Sequence, residues 1–139
     1  MADPADTSGG LRRLAEEYTA AWCGGDPARV ASFYAEDGSL SVNGAAPAVG
    51  REAIAEVACG FMTAFPDMRV SMDGLRSEGE GAFYQWTLTG TNTGPGGTGN
   101  AVRVSGHEGW KIGPDGLIAE SKGQFDEAEY QRQLNAGTE

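Results

Sequence analysis

Four side chains are our candidates for proton transfer in an active site: Glu108, Asp126, His107 and Tyr18. Glu108 has the same alternation parity as Trp110, so in a strand both side chains lie on one apolar face. Desolvation on such a face raises the pKa of a carboxyl group toward the range of a general base. We therefore expect Glu108 to be a general base in a partly apolar cavity, unless a bulge turns it to solvent or an arginine pairs with it.

The other three side chains each allow two interpretations. Asp126 follows the last predicted strand and could face the mouth of a cavity beside Gln124, or cap the terminal helix, or do both. His107 has the parity of Lys111, which indicates an exposed position. Tyr18 lies on the apolar stripe of the first predicted helix, so its hydroxyl needs a partner either in the core or in a cavity.

The helices and strands that must position these groups are predicted from the spacing of hydrophobic residues. This spacing changes from helical to alternating after Pro66. Before it, helical spacing predicts helices over residues 11–22, after Asp26-Pro27, and over residues 51–65, with a short strand at 39–42. After it, alternation predicts four antiparallel strands joined by hairpins, the last over residues 117–125, and then a terminal helix over 126–134. The strongest hairpin signal is the glycine-rich reversal between Trp86 and Val102.

Helices followed by a run of hairpin strands predict an α+β fold, a curved sheet with helices on its concave side. We expect one domain over residues 11–134, with a disordered N-terminal tail over 1–10 and a C-terminal tail over 135–139. In this fold Trp22, Trp86 and Trp110 are predicted to be core residues and walls of the cavity. Cys23 and Cys59, each inside a predicted helix, are predicted to be buried thiols.

Composition excludes several function classes. The net charge of −10 argues against nucleic acid and anionic membrane surfaces as partners. No segment is apolar enough to span a membrane and residues 1–10 do not resemble a signal peptide, so we expect a cytoplasmic protein. Abundant arginine, alanine and glycine are typical of a GC-rich bacterial genome. A single histidine and unclustered cysteines argue against a zinc site. A carboxylate site for a hard cation stays open, but no calcium-loop pattern is present, so we name no metal ligands. The glycine-rich stretch joins strands instead of opening a helix, which argues against nucleotide binding.

Several motifs resemble the SnoaL-like polyketide cyclases of the nuclear transport factor 2-like superfamily, a cone-shaped α+β fold. They are Gly90-Thr91-Asn92-Thr93-Gly94 after Trp86, Asp115-Gly116-Leu117-Ile118-Ala119-Glu120, and the closing Phe125-Asp126. The resemblance implies a pocket for hydrophobic or polar small molecules between the concave sheet face and the helices. It also implies an intramolecular aldol condensation without metal or organic cofactor, in which a carboxylate removes a proton beside a carbonyl and donors stabilise the enolate.

The sequence departs from the family pattern at the final strand. Ser121-Lys122 stands where the family commonly has a His-Trp pair, and Gly123 and Gln124 occupy the positions of a frequent acidic base. Asn92 stands where a histidine is frequent, and the family's histidine near the preceding strand would make His107 catalytic if a bulge turned it inward. Compared with the related ketosteroid isomerases, Tyr18 matches the oxyanion tyrosine, whereas the catalytic aspartate falls on about Val42.

The resemblance and the residues together predict a cyclase- or isomerase-type enzyme, a homodimer through the outer sheet face, that transfers protons on a carbonyl-bearing hydrophobic small molecule. Its candidate base is Glu108 or Asp126, its candidate donors are Tyr18 and either Asn92 or Gln124, and its walls are the tryptophans. Two alternatives remain open: a non-catalytic ligand-binding or accessory protein, and a protein-interaction module that uses the exposed sheet face.

Overall fold

The structure is a computed structural model that describes residues 4–79 and 81–137. Its elements are α1 (Pro4–Cys23), α2 (Pro27–Ser32), β1 (Tyr34–Val42), β2 (Ala48–Val49), α3 (Arg51–Ala64), β3 (Arg69–Glu78), β4 (Gly81–Thr91), β5 (Ala101–Ile112), β6 (Ile118–Phe125) and α4 (Glu127–Ala136). Within the described ranges, no helix is both long and apolar enough to cross a membrane.

The six strands form one sheet in the order β2-β1-β6-β5-β4-β3. β1 pairs with β6 in parallel, and every other neighbouring pair is antiparallel, so the sheet is mixed and mostly antiparallel. α1 packs on β3, α2 packs on α3, and α4 packs on β5. The core lies between these helices and the sheet, around Tyr18, Ile54 and Tyr84. The α+β prediction, with helices on the concave face of a curved sheet, is confirmed.

The two ends of the chain differ from the sequence prediction. α1 begins at Pro4, so residues 4–10 extend the first helix instead of forming a tail. Adding turns to an existing helix costs far less free energy than nucleating a new one. A weakly helical stretch can therefore become helical when it lies directly before an amphipathic helix. α4 likewise continues through Ala136. Residues 1–3 and 138–139, which belong to the predicted tails, lie outside the described residues.

The edge of the sheet at β1 and β2 is also more extended than predicted. Residues 35–38, predicted to be a turn, lie within β1, where the pairing with β6 shifts register between Tyr34 and Ser39. Gly38 fits this irregular strand because a Cβ there would lie 2.9 Å from the carbonyl oxygen of Ile118. β2 replaces part of a predicted loop. A local distortion of this kind is set by the neighbouring strand and leaves no alternation signal in the sequence.

Both thiols are free, as predicted, but the prediction that they are buried is wrong, because both are exposed. Cys59 lies on the solvent side of α3. Cys23 is the last residue of α1, where its sulfur lies 3.1 Å from the carbonyl oxygen and 3.3 Å from the backbone nitrogen of Val70. Helical spacing alone does not tell whether a cysteine lies on the inner face of its helix, since both segments also contain larger apolar residues that fill that face.

Candidate functional site

A cavity opens between the concave face of the sheet and the helices. Counted with its mouth, the space is about 690 Å³. Apolar and aromatic side chains form almost the whole wall, and Glu108 is the one carboxyl among them. The lining residues are Trp22, Leu40, Val42, Val57, Phe61, Val70, Tyr84, Trp86, Leu88, Val104, Glu108, Gly123, Phe125 and Tyr130.

Glu108 faces this cavity because the pairing of β4 with β5 is regular along its whole length. Tyr84 lies opposite Glu108 and Trp86 lies opposite Gly106, with no register shift between them. The bulge that would have turned Glu108 to solvent is absent, and the predicted shared face of Glu108 and Trp110 is confirmed. The residue is only 9% exposed.

Three donors from three elements converge on one oxygen of Glu108. Trp110 on β5 donates its indole N–H to Oε1 at 2.8 Å, and Ser121 on β6 donates its hydroxyl to the same oxygen at 2.8 Å. Tyr18 on α1 lies 3.0 Å from Oε1 and 3.3 Å from Oε2. Oε1 is thus saturated, while Oε2 has a single long contact. Oε2 is therefore the oxygen left to meet a molecule in the cavity.

Burial raises the pKa of Glu108, and the hydrogen bonds from Trp110, Ser121 and Tyr18 oppose that rise. The pKa of Tyr18 and that of Tyr34 are held well above their usual value, first by burial and then by the Glu108 charge. Burial followed by the same charge also raises the pKa of Tyr84. These hydroxyls therefore stay protonated at neutral pH, so they can donate toward a carboxylate.

Tyr18 supports Glu108 from behind instead of lining the cavity. Its hydroxyl, which is fully buried, also lies 2.9 Å from the hydroxyl of Tyr34 at the start of β1. Its ring is packed edge-on against Trp110 at 5.2 Å and Tyr84 at 5.7 Å between ring centroids. Tyr34 and Ser121 were not predicted to join the hydrogen bonds around Glu108 and Tyr18. Their signal was weak, because Tyr34 fell in a predicted helix and Ser121 was treated only as a departure from a family motif.

The three tryptophans have different places. Trp22 and Trp86 line the cavity. Trp110 lies beneath it, stacked on Tyr84 with 4.7 Å between ring centroids, and orients Glu108 instead of forming the wall. Among the described residues, the indole nitrogen of Trp86 is buried without a hydrogen-bond partner.

Asn92 and Gln124, the predicted amide donors, lie away from the cavity. The Asn92 side chain donates to the carbonyl oxygen of Ala64 at 3.1 Å and accepts from the backbone N–H of Thr98 at 2.8 Å, so it fastens the glycine-rich loop to the end of α3. Gln124 is exposed and pairs across the sheet with His107. Its parity on β6 is opposite to that of Gly123, which lines the cavity.

His107 and Asp126 are not brought together with Glu108 either. The regular β4–β5 register places His107 on the outer face of the sheet, where its ring stacks on Phe83 with 4.6 Å between centroids. Asp126 is exposed and caps α4, accepting from the backbone N–H of Glu129 at 3.0 Å. The helix-cap interpretation of Asp126 describes the structure, since a short carboxylate before a helix bonds its free N–H groups.

Within residues 4–79 and 81–137, no group of three or more His, Cys, Asp and Glu side chains is placed to hold a metal ion. The site contains one isolated carboxyl group surrounded by neutral donors.

Comparison with known proteins agrees with this architecture. The sequence profile of the SnoaL-like polyketide cyclases matches residues 12–134. No curated protein matches the chain in sequence. Among solved structures, the phenazine biosynthesis-related protein phzb2 of Pseudomonas aeruginosa superposes with a TM-score of 0.81 at 16% identity, covering 100% of this chain and 89% of its own. TsrD of Streptomyces laurentii has a TM-score of 0.79 at 23% identity, with 98% and 99% covered.

A third structural neighbour is a hypothetical protein of Catenulispora acidiphila with a ketosteroid isomerase-like fold, solved in complex with trimethylamine. It has a TM-score of 0.77 at 16% identity and covers 87% of this chain and 91% of its own. At these identities the structural similarity establishes the fold alone.

Proposed function

Because this chain belongs to the SnoaL-like polyketide cyclase family, we propose that it is a cofactor-independent enzyme of the cyclase or isomerase type. Its substrate would be a hydrophobic small molecule that carries a carbonyl group. Glu108 would remove a proton from the carbon beside that carbonyl and return it later in the reaction.

The observation that supports this proposal most is the state of Glu108. It is the one carboxyl among the residues that line the cavity, and its Oε2 is left without a strong partner. A raised pKa brings a carboxyl group closer to the operating pH, where proton removal and proton return are both efficient. Isomerisation and cyclisation by aldol addition conserve protons, so one carboxyl can serve both steps.

The cavity wall supplies the remaining requirements. Its apolar side chains exclude water and favour a hydrophobic substrate. The enolate oxygen needs a hydrogen-bond donor, and we assign this role to Tyr130, which lines the cavity and whose hydroxyl has no hydrogen bond to any other described residue. Burial, followed by the charge of Glu127, raises the pKa of Tyr130, so the hydroxyl keeps its proton.

The test uses a ketone with an acidic C–H group, such as 2-tetralone, in deuterated buffer. We expect the protein to accelerate the exchange of hydrogen for deuterium at the carbon beside the carbonyl. This exchange is measured by mass spectrometry or proton NMR. Glu108→Gln should lower the acceleration by about 100-fold or more, the usual effect of losing a general base.

The matched control for this test is Asp126→Asn. Asparagine is as good a helix cap as aspartate, so this variant should fold and exchange the ketone within about twofold of wild type. Equal exchange by wild type and Glu108→Gln, with both variants folded by circular dichroism, would contradict the proposed role of Glu108.

A second candidate function is ligand binding without chemistry. The observation that favours it is that the other predicted catalytic and binding groups do not line the cavity. These groups are His107, Asp126, Asn92 and Gln124. The Catenulispora neighbour in complex with trimethylamine is another member of the fold seen with a small molecule. A small molecule retained by the purified protein in native mass spectrometry, together with no ketone exchange, would favour this candidate.

A further inference from the structure

We propose that the cavity is a binding site for small organic ammonium ions, with Glu108 as the counter-ion and the aromatic wall as the surface that contacts the cation. This ligand class goes beyond the proposed carbonyl chemistry. It depends on the charge and shape of the cavity and not on whether any reaction takes place there.

The first step of the argument is that the carboxyl group of Glu108 lacks a positive partner. Every side chain that hydrogen-bonds it, namely Tyr18, Trp110 and Ser121, is neutral. No lysine or arginine is among the residues that line the cavity. Buried carboxylates in proteins are paired, coordinated to a metal or neutralised by a proton. A cationic ligand would provide the charge that the surrounding residues do not.

The second step concerns the free oxygen. The three donors hold Oε1, so the side chain is fixed in one orientation with Oε2 as the available acceptor. Gly123 pairs directly with Glu108 and also lines the cavity. A Cβ at Gly123 would come within 3.7 Å of the Glu108 Cγ, so glycine leaves additional room beside the carboxyl group. A fixed carboxylate with open space on one side suits a bulky ammonium head.

The third step is the aromatic composition of the wall, which includes Trp22, Phe61, Trp86, Phe125 and Tyr130. Several of these rings meet edge to face, as Trp22 does with Phe61 at 6.3 Å and Phe125 with Tyr130 at 5.4 Å between centroids. Aromatic faces attract cations, most strongly in a desolvated site, and cages of such rings recognise quaternary ammonium groups. The chain's net charge of −10 would further attract a cation from solution.

The titratable groups that face Glu108 determine how binding depends on pH. They are Tyr18 from α1, Tyr34 from β1 and Tyr84 from β4, and the Glu108 charge acts on all three. Each tyrosine has a raised pKa and stays neutral, so Glu108 is the group that changes its charge. A bound cation favours the carboxylate and must release the proton that Glu108 held. Affinity should therefore rise with pH below the pKa of Glu108 in the free protein.

The experiment compares choline with 3,3-dimethylbutan-1-ol, its uncharged carbon analogue, by isothermal titration calorimetry. Choline carries no dissociable ammonium proton, so any proton released on binding comes from the protein. We expect choline to bind at least about tenfold more tightly than the alcohol and, when buffers of different ionisation enthalpy are compared, to release up to one proton per cation. Equal affinities for the two probes would overturn the proposal.

Three variants sharpen the result. Glu108→Gln should weaken choline binding at least tenfold, abolish proton release and leave the affinity for the alcohol within about twofold. Glu120→Gln, which removes the same charge from a residue outside the cavity lining, should bind choline as wild type does. If Glu108→Gln fails to fold, Trp86→Leu replaces it, and choline should then lose more affinity than the alcohol. An unchanged choline affinity in the cavity variant that folds would overturn the proposal.

This result is separable from the enzyme proposal. Ammonium binding without ketone exchange would refute the catalytic function alone, and exchange without ammonium selectivity would refute the ligand class alone.

Discussion

The residue on which the site depends is an acid whose burial opposes ionisation. Glu108 lies among three tyrosines and beneath an apolar wall, and its raised pKa comes first from desolvation. A group whose pKa is higher in the folded than in the unfolded chain binds its proton more tightly in the folded state. Stability from that group is full below the unfolded pKa and declines as the pH rises toward the folded pKa.

We therefore predict that Glu108→Gln stabilises the protein at neutral pH. The amide has no charge to desolvate, and each unit of pKa shift in the wild type is worth about 1.4 kcal/mol. The free energy of unfolding, measured in urea at several pH values, should differ little between the two proteins near pH 4 and increasingly favour the variant toward pH 8. A variant less stable than wild type at pH 8 would show that the carboxylate is stabilised by its three donors after all.

At this scale the sequence predicted the acid, the face it shares with Trp110 and Tyr18 as a candidate donor, but it did not predict Ser121 or Tyr34. The parity that places Glu108 beside Trp110 is local, and alternation in one strand is sufficient to predict it. Ser121 and Tyr34 belong to other strands, and their approach to Glu108 depends on strand order and register. Neither of these is encoded in the spacing of any single segment.

At the scale of elements, the glycine-rich stretch between β4 and β5 is a structural connection to α3. Gly94 allows this contact because a Cβ there would clash with the carbonyl oxygen of Thr63. Asn92 completes it through its side-chain bonds to Ala64 and Thr98. The composition of this stretch predicted the reversal correctly. The prediction that Asn92 binds the ligand is not supported by its position, because a motif locates a residue along the chain but does not give the direction of its side chain.

We predict that Asn92→Ala destabilises the fold and spares the chemistry. The substitution leaves the Thr98 N–H without its acceptor, while the Ala64 carbonyl keeps the bond from the Gly94 N–H at 3.3 Å. One unsatisfied group of this kind costs about 1–3 kcal/mol. Urea unfolding should show this loss, while ketone exchange by the folded variant stays within about twofold of wild type. Thr93→Ala, at an exposed position in the same loop, is the control and should change stability by less than about 0.5 kcal/mol. If Asn92→Ala is fully folded but loses most of its ketone exchange, Asn92 has the role in the site that the sequence predicted.

At the scale of the whole molecule, charge is divided between the two sides of the sheet. Of the ten lysines and arginines in the sequence, five lie on strand positions that face outward with His107: Arg69, Arg76, Arg103, Lys111 and Lys122. Phe83 lies on this face as well, with the Arg76 guanidinium 4.5 Å from its ring centroid. The inner face is apolar apart from Glu108 and its donors. Alternation predicts this two-sided pattern along β4 and β5, whose register is regular. Arg76 is the exception, because the register shift between Met72 and Gly74 in β3 brings it to the same face as Arg69.

The dimer predicted through the outer face remains to be tested, and Phe83 is the residue with which to test it. We expect native mass spectrometry of the wild type to show two copies. Phe83→Asp should give monomers, because it places a charge at the apolar part of that face. Val49→Asp is the control, since Val49 is 61% exposed on β2 at the edge of the sheet and should not affect assembly. A wild type that stays monomeric at high concentration would refute the predicted dimer.

The parallel pairing of β1 with β6 has a consequence for the order in which the chain can acquire its site. Leu40 pairs with Ser121, so the first long strand finds its partner only near the end of the chain. Contacts between such distant segments form late and slow folding, because a long loop must close first. Ser121 also supplies one of the three donors to Glu108. During synthesis on the ribosome, the carboxyl group therefore cannot be fixed in place until β6 has emerged, and a chain that stops before it would expose the apolar wall to aggregation.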